Sequence, residues 1–144
     1  MITEDYVSFE TAKLLKEKGF DAECHSHYYP CHYPDGSIQY HKYEGTDSIK
    51  NGSFYKIYSL KNLPKCHYLA PTLQMAMKWL REVRNLSVEV HFLLNEENDA
   101  SSWNYDIIDT ITYCNKAKYD MRETFKTFEQ ACESAIKYCL ENLI

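Results

Sequence analysis

The chain has 144 residues, 44% apolar and 26% charged, with a net charge of −5. That is the size and make-up of a globular domain with one continuous core, and it excludes wholesale disorder. No apolar run approaches the roughly eighteen residues of a membrane helix and the opening Met-Ile-Thr-Glu-Asp is acidic, so neither a span nor a secretory leader is expected, and the acidic balance counts against a duplex-DNA binder.

A cytoplasmic location follows as an expectation. The six cysteines then meet a reducing environment, where no disulfide framework is anticipated. Cys132 and Cys139 fall on an apolar helix face, where a thiol acts as a small hydrophobe.

The first predicted element is a helix in Ser8-Phe9-Glu10-Thr11-Ala12-Lys13-Leu14-Leu15. Ser8 can cap it, Phe9, Ala12 and Leu15 face inward, and Gly19 can take the left-handed conformation that lets Phe20 fold back on Leu15. A tyrosine-rich hairpin follows over residues 25–33 and 37–43, with a third strand at 54–60. A helix over 72–84, capped by Thr72, carries Leu73, Ala76, Met77, Leu80 and Val83 at helical spacing. Val88, Val90, Phe92 and Leu94 alternate as in a half-buried strand over 87–94. A strand over 103–114 would place Tyr105, Ile107, Ile111 and Tyr113 on one face, and a last strand falls within 118–126. Thr127 and Gln130 then open a closing helix whose apolar stripe runs from Phe128 through Ala131, Cys132, Ala135, Ile136, Cys139 and Leu140 to Leu143. The order is α-βββ-α-βββ-α. The expected class is α+β, antiparallel sheets packed against helices, in one domain over residues 1–144.

The segment from Cys24 to His41 concentrates histidine, cysteine and tyrosine, and its geometry decides between a metal site and an aromatic surface. Alternation puts His25, His27, Tyr29 and Cys31 on one strand face. A three-residue turn, Pro34-Asp35-Gly36, pairs Tyr33 with Ser37 and sets His41 opposite Tyr29. The four metal-ligand candidates, His25, His27, Cys31 and His41, would then share a face. However, His27 and Cys31 are separated by about 13 Å along the strand, too far to converge on zinc at bond lengths of about 2.0–2.3 Å. An aromatic binding hairpin built from Tyr28, Tyr29, Tyr33, Tyr40 and Tyr43 is the preferred reading, and no cofactor is expected.

Elsewhere the chemistry is sparse. Cys66 and His67 are neighbours whose side chains point apart on an extended chain. His91 lies opposite the apolar face of its strand. The four glycines form no phosphate-cradling loop, and no metalloprotease or nucleophile-elbow motif occurs. Glu96, Glu97, Asp99 and Asp106 gather in sequence around Trp103, as a solvated loop or a phosphate-like track. The thirteen tyrosines suit strands, a protein interface, or the stacking of single-stranded bases.

Three helical blocks, Val7–Asp21, Ala70–Val83 and Phe128–Ile144, resemble a family of small uncharacterised proteins from phages, prophages and mobile elements of gut anaerobic bacteria. The resemblance implies an accessory bacterial protein and assigns no catalytic residue. The expectation is therefore a phage-like accessory module that binds another protein without catalysis. Single-stranded nucleic-acid binding and a zinc-stabilised domain are the alternatives.

Overall fold

The computed structural model describes residues 2, 4–44, 57–94, 102–117 and 123–144. Its elements are α1 (Phe9–Glu17), β1 (Ser26–His32), β2 (Ile38–Glu44), β3 (Tyr68–Leu69), α2 (Leu73–Arg84), β4 (Leu86–Leu93), β5 (Ser102–Asp109) and α3 (Phe128–Tyr138), the last continued by a π-helical turn, Cys139–Leu143. The class is α+β. Two antiparallel sheets, ordered β2-β1-β3 and β4-β5, carry the helices. Contacts gather the chain into two compact units, Tyr6–Thr72, and Met1–Asp5 with Leu73–Ile144. The chain passes between them at Asp5-Tyr6 and again at Thr72-Leu73, neither within a glycine or serine run, so composition carries no mark of the division. Among the described residues no helix is long and apolar enough to cross a membrane.

In the unit Tyr6–Thr72, α1 is closed at both ends by its own sequence. The Ser8 hydroxyl accepts from the Thr11 amide at 3.2 Å. Gly19 sits at φ +85°, and the Gly19 and Phe20 amides donate to the Lys16 and Leu15 carbonyls. This is the Schellman ending expected, and it buries Phe20 beside Leu15 in the core. The hairpin also takes the register read from its turn. Gly36, at φ +84°, donates to Tyr33, Tyr33 donates to Ser37, and Tyr29 pairs with His41.

That closing bond sets the parity of the whole ladder. Ser26, Tyr28 and Pro30 turn their backbone groups away from β2, toward β3. The Ala70 amide accordingly donates to Ser26, and Tyr28 pairs with Tyr68. The next such position is Pro30, which has no amide to donate. Beyond it the chain turns, with the His67 amide bonded to Pro64. β3 is therefore only two residues long.

The predicted third strand at 54–60 falls partly outside the described residues. Within them, Tyr58 makes only an isolated bridge to Cys24. The strand that completes the sheet is β3, where none was expected. It is too short to carry a readable alternation.

In the other unit, α2 and α3 pack on the β4–β5 hairpin. Leu86, Val88, Val90 and Phe92 pair with Asp109, Ile107, Tyr105 and Trp103, and the aromatic rings of Phe92, Trp103 and Phe128 follow one another at 5.1 and 5.4 Å. Burial fades from Leu86, 6% exposed at the start of β4, through Phe92 at 45% to Leu94 at 80%, just beyond the strand. α3 and its π-helical continuation bury the anticipated stripe from Ala131 to Leu140, with Phe128 and Leu143 half-buried at its ends, and Thr127 caps the helix through a hydroxyl that accepts from the Gln130 amide.

Three expectations need correction here. Val83 is exposed while Trp79 is buried, because the chain reverses into β4 at the single left-handed residue Asn85 (φ 58°), before anything can cover the last turn of α2. β5 stops at Asp109 instead of running to Cys114. The Asp109 carboxylate accepts from the Ile111 and Thr112 amides, competing with strand pairing. Tyr113 then takes φ 58°, which leaves Ile111 and Tyr113 exposed. Of the last predicted strand, Phe125 makes one bridge, to Trp103, while 118–122 lie outside the described residues.

Candidate functional site

Strand alternation gives the β2-β1-β3 sheet two chemically different faces. On one, Tyr28, Tyr40 and Tyr68 receive Phe9 of α1. Phe9 stacks on Tyr40 at 4.1 Å and meets Tyr28 and Tyr68 edge-on at 5.6 and 5.4 Å. The Tyr28 hydroxyl donates to the Val7 carbonyl at 2.7 Å. Lys16 ties this face to the segment before β3 by donating to the Lys65 and His67 carbonyls.

The opposite face carries His27 and Tyr29 from β1, Tyr43 and His41 from β2, and Tyr58 and His67 from the segments that follow. His27 is its floor, 7% exposed. Its ring lies 4.3 Å from Tyr58, 5.2 Å from His67, 5.5 Å from Tyr43 and 6.1 Å from Tyr29. His27, Tyr29, Tyr43 and Tyr58 line a depression of about 330 Å³, open to solvent. Burial, and the neighbouring Tyr43 hydroxyl, push the Tyr58 phenol above its ordinary pKa, so this ring stays neutral.

The five tyrosines proposed from sequence therefore do not act as one surface. Tyr29 and Tyr43 belong to the open face. Tyr28 and Tyr40 are packing residues under α1. Tyr33, beside the turn, places its hydroxyl 3.1 Å from His41 Nε2. Tyr58 and His67 were missed as site residues. Tyr58 arrives through a lone bridge and His67 through β3, and neither has a signal in residue spacing.

The metal-ligand candidates are likewise separated. β1 begins at Ser26, so His25 precedes the strand and is exposed. His27 is enclosed by rings, His41 meets Tyr33, and Cys31 pairs with Gln39 further along the ladder. Among the described residues no three His, Cys, Asp or Glu side chains are disposed to hold an ion. Cys24 is a core residue, and burial pushes its thiol up to about 12.

The second unit offers less. His91 Nδ1 stands 3.8 Å from Asp106 Oδ2, and Asp106 Oδ1 accepts from Asn115 at 2.7 Å. The pair lies on the strand face opposite the core. Asp106 thus faces away from Trp103, and Glu96, Glu97 and Asp99 lie outside the described residues.

Charge also divides between the units. Tyr6–Thr72 contains eight lysines against seven acidic residues, and five of the six histidines. The remainder holds eight lysines and arginines against fourteen acidic residues. The acidity of the chain belongs to the unit without the aromatic face. No protein-family profile, curated protein or solved structure matches this chain.

Proposed function

We propose that the chain is a non-enzymatic binding module that recognises another protein through the His27–Tyr29–Tyr43–Tyr58–His67 face. One observation carries this reading: a helix covers one side of a three-stranded sheet, while rings from four separate places in the chain crowd the other and leave a shallow, open depression. Tyrosine is favoured at such surfaces because it pairs a large contact area with a hydroxyl. Tyr33 and Tyr43 extend exposed aromatic area along the same face of the hairpin. The wording of the three helical blocks supports an accessory role of the phage and mobile-element kind, exercised in the cytoplasm. Selecting ligands for the full chain from a random peptide library tests the reading. Binding should be lost in Tyr29→Ala/Tyr43→Ala and kept in the control Ile111→Ala, an exposed residue of the other unit. Equal binding by both variants, or turnover in a broad hydrolase and transferase screen, would overturn it.

The near-neutral charge of this unit favours single-stranded nucleic acid as the second reading. Two features rank it lower. The Tyr43 and Tyr58 rings stand at 89° to each other, not as parallel shelves for bases. Lys16 and Lys42 lie over Tyr68 and Tyr6, on the side of the covered face. Titration with short oligonucleotides at low salt decides, and no saturable signal ends this alternative.

A further inference from the structure

The depression bounded by His27, Tyr29, Tyr43 and Tyr58 has the form of an aromatic cage, and we propose that it binds a methylated ammonium group. This rests on the reading of the same face as a recognition surface and names the chemistry it takes.

The faces of aromatic rings carry negative quadrupole charge and attract a cation within about 6 Å of the ring centroid. Here a buried imidazole forms the floor. The phenol rings of Tyr43 and Tyr58 stand at right angles, 6.2 Å apart, and Tyr29 bounds the site 6.1 Å from the floor. A group resting in the corner meets several rings at once. None of the four lining residues is a carboxylate. No anion in the lining can therefore repay the desolvation of a strongly hydrated primary ammonium, so a methylated ammonium, which is more weakly hydrated, fits better.

The same unit already uses this attraction elsewhere. Lys13 lies 5.7 Å over Phe9, Lys16 4.7 Å over Tyr68 and Lys42 4.0 Å over Tyr6. Those rings are served by the chain's own cations. Among the described residues no lysine or arginine lies over Tyr29 or Tyr43.

The test titrates the full chain, followed by tyrosine ring NMR shifts, with choline, with its uncharged isostere 3,3-dimethylbutan-1-ol, and with short peptides bearing trimethyllysine or unmodified lysine. Choline and the trimethyllysine peptide should each bind at least tenfold more tightly than their controls. Tyr43→Leu should abolish the difference and Tyr43→Phe should retain it. A trimethyllysine peptide tighter than choline identifies the source as a protein side chain, and equal affinities identify a small molecule. Equal binding of choline and its isostere, or no shift with any cation, overturns the cage. Library-selected peptides that bind wild type but not Tyr29→Ala/Tyr43→Ala would then show that the recognition face survives without it; loss of both results removes the two readings together.

Discussion

The imidazoles of His27 and His67 stack 5.2 Å apart and within 21° of parallel, although β2 and a long connection separate them in the chain. The contact exists because β3 runs antiparallel to β1 with Tyr68 opposite Tyr28, which brings His67 onto the side of the sheet occupied by Tyr29 and His27. Two residues of strand thus deliver one histidine to another.

Removing the floor should cost more than removing its neighbour. His27→Ala is expected to destabilise the fold by about 2 kcal/mol, since the surrounding rings cannot fully collapse onto the space. His67→Ala, at the half-buried edge of the cluster, should cost about half of that. Urea unfolding of the two variants checks the order.

The two tyrosine sets should separate stability from binding. Tyr28→Phe loses the bond to the Val7 carbonyl and should cost about 1 kcal/mol with ligand binding intact. Tyr43→Ala should cost less than about 1 kcal/mol and remove binding. If Tyr28→Phe alone removed binding, the functional face would be the one under α1.

Gly36 tests the turn. At φ +84°, with nothing within 4 Å of an added Cβ, any penalty is backbone strain alone. Gly36→Ala should lower stability by about 1 kcal/mol, and Gly36→Asn by less, because asparagine tolerates the left-handed region. Thermal melts of the pair give the comparison.

The thiols should report burial in two ways. A disulfide reagent should modify exposed Cys66 and Cys114 first, half-buried Cys31 more slowly, and Cys24, Cys132 and Cys139 only after unfolding. Burial pushes these last three from 9.0 up to about 12. Between those values the unfolded chain has lost protons that the folded chain still holds, so stability falls as pH rises. The loss at pH 10 is on the order of 1 kcal/mol for each such thiol. Melting temperatures from pH 8 to 10.5 should drop steeply above pH 9, and less steeply in Cys132→Ala.

Local chemistry was the legible part. Ser8, Gly19 and Thr127 announce helix ends through bonds made within a turn of themselves, and Pro34-Asp35-Gly36 sets a register because the turn is built from adjacent residues. The stripe on α3 could be read for the same reason. Long-range placement left no such trace: Tyr58 and His67 reach the site through one bridge and a two-residue strand. Asp109 misled because a strand-like alternation continues through Ile111 and Tyr113, while its carboxylate takes the amides that pairing would need. The split of the tyrosines was implicit in the period of two, since the register that pairs Tyr29 with His41 also sends Tyr40 to the side of Tyr28.

The parity that shortens β3 also shapes the outer rim of the hairpin. It turns the amides and carbonyls of Ile38, Tyr40 and Lys42 away from β1, and among the described residues no strand lies beyond them. That rim is a template for adding a further strand, and a crowded solution would offer it another copy of itself. Concentrated stocks should therefore turn cloudy by hairpin-to-hairpin growth, and Ile38→Pro, which removes a rim donor at an exposed residue, should keep them clear.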